Sequence, residues 1–483
     1  MSANDLDIGM ALLHAGRWGE GIERLRAVLA REPGFAEVWS NLGFALRAAG
    51  RLAEARDALE RAVSLAPHLA DAWNLLGLVE QEVGRHEAAA KHFDRALALR
   101  ADFAVAMMNR ANSDQAMGRL EAALAGYARA LQIAPGNAGI HYNLGHLHQK
   151  ITGRADAAIA CYREAIRVDA GLADAHLNLS HVLLSLGLFE EGWREFAWRP
   201  QRRAYAAERA RRGAPYEPAA IGFAPHLHLR GEQGLGDMLF FLRYAAGAAA
   251  RGSRLSFGGD ARLHAMLART GLLAQMDGGD DSPAAQGAEL LVGDLPPLFR
   301  AQDPLPPPLA LRAGDAQRQA IAQRLRAAGP RPWIALTWRA GERSPGLFDR
   351  LFKEAPLAPL GEALRGLQAT WISVQRAPAA GEREALEGAL GATVHDFSGV
   401  NGDLDDALAA MDLVDDYVGV SNTNMHLRAG VGQDARVFVP FAPEWRWGFE
   451  GRSPWFPSMR IYREAPGRDW SGAFAALTRD MRP

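Results

Sequence analysis

The chain has 483 residues, 48% hydrophobic and 23% charged, with a formal net charge of -2. That length exceeds a single core and that composition is globular, so two or three domains are expected and disorder throughout is excluded. A near-neutral balance gives no electrostatic basis for nucleic acid or an anionic membrane as partner.

The single cysteine, Cys161, can form no internal disulfide, and no metal-ligand cysteine spacing exists. The opening MSANDLDIGM has no basic stretch followed by an apolar run, and no window reaches 18 uninterrupted apolar residues. A cytoplasmic location with no membrane span is therefore expected. Only Lys91, Lys150 and Lys353 among the 54 basic residues are lysine, a bias that looks like GC-rich coding and carries little function.

The first 200 residues repeat. Pro33, Pro67, Ala101 and Pro135 lie 34 apart. Trp39, Leu42, Gly43, Ala55, Leu59, Ala62 and Pro67 in one unit match Trp73, Leu76, Gly77, Ala89, Phe93, Ala96 and Ala101 in the next. Ala123, Tyr127, Ala130 and Pro135, then Leu144, Gly145, Ala158, Tyr162 and Ala165, continue the pattern. It closely resembles the tetratricopeptide repeat, in which small residues let two antiparallel helices approach and large ones fill the gap. A weaker unit opens the chain, one unit carries an extra residue near Lys150 to Gly153, and the last runs from Ala173 to about Arg199. About six units over residues 1–199 are expected to form a short right-handed superhelix.

Stacked helix pairs leave a concave groove suited to an extended peptide. The position of Asn41 is matched by Asn109, Asn143 and Asn178 in later units, and by Leu75, with Asn74 beside it, in the second. Such a ladder, expected on the solvated concave face, can donate to and accept from a peptide backbone without reading its side chains. The alternative is a tolerated polar residue on a wet helix. The array resembles that of the protein O-GlcNAc transferases, and the resemblance implies that these four asparagines bind an acceptor polypeptide.

Residues 200–222 are arginine-rich with no apolar period and read as a linker that could hold a short helix, with a phosphate contact as the lesser reading. An α/β pattern follows. Leu227, His228 and Leu229 read as a strand, and Gly231, Gly234 and Gly236 surround Glu232, Gln233 and Asp237 before a helix. The turn places a carboxylate at the carboxyl end of a first strand, where doubly wound sheets hold ligands, although Asp is also a common helix cap. Further strands are expected at 254–257 and 289–292, with a helix at 261–269 between them, and the proline-rich 294–315 as an extended link.

The second lobe opens with strands at 333–337 and 371–374, separated by a polar loop containing Arg339, Gly341, Arg343 and Lys353. Helices at 382–390 and 403–411 lead to the apolar Tyr417, Val418 and Val420, which break into Ser421, Asn422, Thr423 and Asn424 before a helical pattern with His426. A strand, a polar turn and a helix N-terminus present unpaired N–H groups and suit a diphosphate, or make an ordinary capped helix. Another strand is expected at 435–439, and the tail PEWRWGFEGRSPWFPSMRIYRE reads as a loop over the site or as aromatic packing between lobes.

From about Pro225 to its end the chain resembles the ADP-heptose:lipopolysaccharide heptosyltransferase family and its tetratricopeptide-fused relatives. The residues that carry this are the G-x-G-D turn with Asp237, Lys353 and Pro356, the strand-end Gln375, the loop ending in His426, and the tail. The resemblance implies the glycosyltransferase B (GT-B) architecture, with Rossmann-like lobes at 223–312 and 313–483. The first is the acceptor side, and the second holds a nucleotide sugar without obligatory metal or other cofactor. It implies Asp237 as base, Lys353 with Arg339 and Gln375 toward the donor, and Ser421, Asn422, Thr423, Asn424 and His426 as the diphosphate loop. Ser421 stands where the family has Asp, Thr423 or Asn424 where it has a small residue, and Arg428 replaces another small one, which bears on the donor's identity.

Glycosyl transfer builds oxocarbenium character while charge grows on the departing diphosphate, so a base and fixed donors are needed. An oxygen nucleophile attacking opposite the leaving group gives inversion. The expectation is an inverting, metal-independent transferase moving a sugar from a nucleotide sugar to a polypeptide held by the repeats. The alternatives are a transferase for a glycan or lipid-linked saccharide, with the repeats docking a partner, and a non-catalytic repeat scaffold.

Overall fold

A computed structural model describes residues 2–149, 153–232, 234–277, 288–300, 303–340, 353–441 and 444–482; Gln233, Gly341 and Arg343 of the sequence reading, and the insertion at 150–152, lie outside them. Two compact units are found, one holding 2–147 and 160–172, the other the remaining described residues.

The first unit is built from α1 (Ser2–His14), α2 (Trp18–Arg31), α3 (Ala36–Ala48), α4 (Leu52–Leu65), α5 (Ala70–Glu82), α6 (His86–Leu99), α7 (Ala104–Ala116), α8 (Leu120–Ile133) and α9 (Ala138–Leu147). It also takes the greater part of α10 (Ala155–Val168). The period is physical. A left-handed glycine closes each turn at Gly16, Gly50, Gly84 and Gly118, where side chains are rarely accommodated. The absent Cβ at Gly77 would stand 2.5 Å from the Phe93 ring, and at Gly145 2.9 Å from Tyr162, so glycine is what lets paired helices close. The third unit inverts this choice: Ala111 takes the glycine position and Gly126 on α8 makes room for its methyl. Trp39 and Trp73 each donate from Nε1 to the carbonyl of the proline six residues earlier, at 2.8 and 3.0 Å.

In the second unit, α11 (Ala173–Ser185) and α12 (Phe189–Phe196) form the last helix pair. Residues 200–222, expected as a linker with room for a short helix, contain α13 (Pro200–Arg211) and α14 (Pro218–Ile221). They are held because Tyr205 and Tyr216 are buried edge to face, 4.9 Å apart. Arg199 anchors their start: fully buried, it pairs bidentately with Glu232 at 2.9 Å and with Asp294 at 2.9 Å, while the Tyr216 hydroxyl donates to Asp294 at 2.7 Å.

A four-stranded parallel sheet comes next, from β1 (His226–Arg230), β2 (Arg254–Gly258), β3 (Leu273–Asp277) and β4 (Ala288–Leu291) in the order β3-β2-β1-β4. Its crossovers carry α15 (Leu235–Phe241), α16 (Ala245–Ala250) and α17 (His264–Ala268). The chain then gives α18 (Asp315–Ala328), β5 (Trp333–Leu336), a short antiparallel pair β6 (Arg339–Ala340) and β7 (Lys353–Glu354), α19 (Leu357–Leu364), β8 (Thr370–Ser373), α20 (Glu382–Leu390) and β9 (Val394–Asp396). It ends with α21 (Leu404–Leu413), β10 (Asp416–Val420), α22 (Thr423–Gly430), β11 (Arg436–Val439), β12 (Arg460–Arg463) and α23 (Ser471–Met481).

The second sheet is parallel in the order β12-β11-β10-β5-β8-β9, the order of a doubly wound sheet. Its strands alternate between two buried faces: Trp333, Ala335, Ile372, Tyr417 and Val437 enter one core, and Ile334, Leu336, Trp371, Val418 and Phe438 the other. Burial on both faces explains why these strands read as continuous apolar runs.

The tail combines its two expectations: its rings are buried, while Glu444 and Arg446 between them reach Lys353 and Asp237. Trp445, Trp447 and Trp455 are buried, and Phe240 lies edge-on to Trp445 at 4.9 Å and to Trp455 at 5.1 Å, with Trp193 of α12 in the same cluster. Aromatic packing was the alternative, and hydrophobic burial favours it because rings this large contribute most when desolvated.

Candidate functional site

Two turns leave the carboxyl ends of strands at points where strand order reverses. The first follows β1: the chain is extended at Gly234 and enters α15, with Asp237 in the first turn. Asp237 is 31% exposed and accepts a hydrogen bond from Nη2 of the buried Arg446.

The second turn follows β10. Its helix α22 starts because Asn422 adopts an extended conformation and caps it, accepting from the Met425 N–H at 3.4 Å. The same oxygen accepts from the Tyr417 hydroxyl at 3.0 Å, and Nδ2 donates to Thr337 Oγ1 at 3.1 Å. Asn422 is thus engaged in shaping the turn. Ser421 is buried, its carbonyl accepts from Lys353 Nζ at 3.0 Å, and its hydroxyl reaches Glu444 at 3.5 Å. Among the described residues, no hydrogen bond from the side chains of Thr423 or Asn424 is found. His426 is buried; desolvation first, then Arg446 and Arg243, hold its pKa well below the usual histidine range, so the ring is neutral at pH 7.

These turns meet. A Cβ at Gly236 would stand 2.9 Å from His426 Cδ2 and 3.8 Å from the Thr423 Cα, so only glycine lets α15 open against α22. Phe240 and Phe456 pack edge-on to the His426 ring at 6.3 and 5.5 Å. The structure therefore brings together Asp237, Lys353, Ser421, Thr423, Asn424 and His426.

Gln375 and Arg339 lie otherwise than expected. The buried Gln375 accepts from the Trp338 and Arg339 N–H groups at 3.0 and 3.1 Å and donates to the Arg339 and Arg376 carbonyls, both at 3.1 Å. All four of its bonding positions hold backbone. Arg339 is paired bidentately with Glu382 and bonded to the Ala377 carbonyl at 2.6 Å. Both shape the loop after β5. Arg428 likewise fills a backbone role, donating to the carbonyls of Met411, Val414, Asp415 and Asp434.

The asparagine ladder is also different from the expectation of a solvated face. Asn109 and Asn178 are each 3% exposed, while Asn41 and Asn143 are half-buried. Asn109 Nδ2 donates to Asn74 Oδ1 at 3.0 Å, and Gln81 Nε2 donates to the Asn109 carbonyl at 2.8 Å, so stacked first helices cover part of the ladder.

Glu444, Arg446 and Arg243 are the site residues that sequence reading missed. Lys353 Nζ pairs with Glu444, and Glu444 with Arg446 at 3.5 Å. Burial raises the Glu444 pKa, but Lys353 and Arg446 outweigh it and bring the group down to about 2. The available signal was charge alternating with tryptophan in EWRW, a pattern that simple loop packing does not need. A separate hollow of about 310 Å³, lined by Asp415, Asp416, Arg436 and Arg460 among others, lies at the amino ends of β10 and β11. Doubly wound sheets hold ligands at the opposite end, and Arg436 is already paired with Asp416 at 2.6 Å.

Family models for the tetratricopeptide repeat match residues 34–102 and 138–171, and one for the TPR repeat matches 111–152. The N-terminal region therefore carries tetratricopeptide repeats. Solved structures similar to the chain include TTC0263, a thermophilic TPR protein in Thermus thermophilus. It is 20% identical, covering 38% of this chain and 100% of that one, at a TM-score of 0.35. MamA protein is 24% identical over 36% of this chain and 93% of that one, at 0.31. YrrB, described as a TPR protein with an unusual peptide-binding site, is 19% identical over 36% and 90%, at 0.30. No curated protein matches the sequence. Among the described residues no helix is long and apolar enough to cross a membrane.

Proposed function

We propose that the repeats recognise a polypeptide and that the α/β region, a GT-B-type pair of lobes, transfers a sugar to it from a nucleotide sugar. The observation that carries this is the meeting of Asp237 with the Lys353, Ser421 and His426 group, each set at the carboxyl end of its sheet. In this reading Asp237 takes the proton of the acceptor hydroxyl as its oxygen attacks the anomeric carbon. The bond to the diphosphate breaks on the opposite face, giving inversion. Lys353 and the open N–H groups of α22 hold the departing charge. Neutral His426 packs edge-on against aromatic rings beside them and adds no charge.

A second reading has an observation in its favour. Arg446 is bonded to Asp237, and Arg339 and Gln375 are committed to the fold, as they would be in a repeat scaffold without catalysis. The repeat matches alone support protein binding, which this reading keeps.

The deciding experiment incubates the purified protein with UDP-, GDP-, ADP- and dTDP-sugars and follows release of nucleoside diphosphate. A transferase hydrolyses one donor slowly, and Asp237→Asn lowers that rate by about 10²- to 10⁴-fold, the usual worth of a positioned base. No turnover and no donor binding, with a polypeptide still captured through residues 1–199, establishes the scaffold.

A further inference from the structure

Four charged side chains form an unbroken chain across the two turns. Lys353 donates to Glu444, Glu444 faces Arg446 at 3.5 Å, and Arg446 donates to Asp237. Ser421 Oγ adds a third donor to the same carboxylate at 3.5 Å. Glu444 therefore collects an ammonium, a guanidinium and a hydroxyl at the carboxyl end of β10, beside the opening of α22.

Two guanidiniums there are incompletely bonded. The Nε of Arg446 and that of Arg243 are buried without a hydrogen-bond partner among the described residues. Among the described residues Arg243 makes one hydrogen bond, to the Trp455 carbonyl at 3.1 Å, and it lies over the rings of Phe240 and Phe456 at 4.3 and 4.8 Å. Burial disfavours its charge first; Tyr244 favours it and the neighbouring Arg446 opposes it, and among the described residues no carboxylate compensates it. Among the described residues, Lys353 and Arg446 are paired with Glu444 and Asp237, and Arg243 has no carboxylate partner, so three cations share two carboxylates. This donor set has the chemistry of a diphosphate site, with more acceptor oxygens wanted than one carboxylate supplies.

We propose that Glu444 is an internal stand-in for the leaving-group diphosphate: an incoming diphosphate displaces it from Lys353 and Arg446. Arg446 then turns from Asp237 to phosphate, and the carboxylate of Asp237 becomes free to take a proton. The ligand-free site is held closed by its own carboxylate. This inference rests on reading the site as a diphosphate cradle.

Titration calorimetry with inorganic pyrophosphate at pH 7 tests it, on the full-length protein and its Glu444→Gln, Glu444→Ala and Lys353→Ala variants. Thermal melts show that each variant is folded. Removing the competing carboxylate should tighten binding by about tenfold, the equivalent of one charge-assisted contact released, and Lys353→Ala should weaken it by at least about tenfold. Pyrophosphate bound by the Glu444 variants and not detectably by the native chain supports the proposal equally. Unchanged or weaker binding by both folded Glu444 variants overturns it; if Lys353→Ala still weakens binding, the cradle stands without the stand-in. No binding by any form, Glu444 variants included, overturns the stand-in and the cradle together.

Discussion

The close approach of α15 to α22 makes Gly236→Ala the sharpest probe of the site. The added methyl would lie 2.9 Å from Cδ2 and 3.3 Å from Nε2 of a buried histidine, nearer than carbon contacts normally come. Overpacking of this kind costs about 1–3 kcal/mol. Position 236 lies within α15, where alanine is the better helix former by about 0.8–1 kcal/mol. The net destabilisation is therefore about 0–2 kcal/mol. His426→Ala removes a buried ring and should cost about 2–4 kcal/mol as a large-to-small core change. In the double variant the methyl enters space the ring has left, so its cost should fall short of the sum by about 1–3 kcal/mol. Urea unfolding followed by tryptophan fluorescence is suited to this, since nine of the twelve tryptophans lie at or beyond residue 193. Additive costs would refute the contact between the two turns, and with it the site.

Asn109→Ala should lose about 1–2 kcal/mol in the melt of the repeat array, because a buried side-chain bond to Asn74 is broken and its oxygen left unpaired; an unchanged melt would return the ladder to a purely binding role. For His426 the folded pKa is depressed, so both states are neutral above about 6.5 and only the unfolded state gains a proton below it. Stability is then lost on acidification, by at most about 1.4 kcal/mol per pH unit, and His426→Gln should lose less than the native chain between pH 7.5 and 5.5 in urea titrations. Arg199→Met should cost about 3–5 kcal/mol, since Glu232 is left buried without its cation and Asp294 keeps only Arg202, at 3.3 Å; the same urea titrations check it, and a loss under 1 kcal/mol would refute Arg199 as the anchor of 200–222.

The repeat array was legible in the chain because its packing lies within one helix pair or between neighbouring pairs. Gly77 and Phe93, or Gly145 and Tyr162, meet within one helical hairpin, so their spacing is repeated in the text and its period is the structure. The strands of the second sheet were legible for a related reason, as two-sided burial writes an unbroken apolar run. The turns around Asp237 and Ser421 could be located but their partners could not. Asp237 and Arg446 are 209 residues apart, and Lys353 and Ser421 are 68 apart. No periodicity records which distant loop a loop will face. Residue type also left function and support unresolved: Gln375 and Arg339 have the donors a nucleotide would want, yet backbone and Glu382 take them. Burial decided the ladder as well, because the depth of Asn109 depends on the neighbouring first helix rather than on its own. The sequence by itself determined the repeats, the main strands and helices with their order, and the turns at Asp237 and Ser421, but not their partners Glu444, Arg446 and Arg243. Tertiary structure alone decided which of those side chains remain open to a ligand, because a polar group's availability depends on neighbours that only the folded chain supplies.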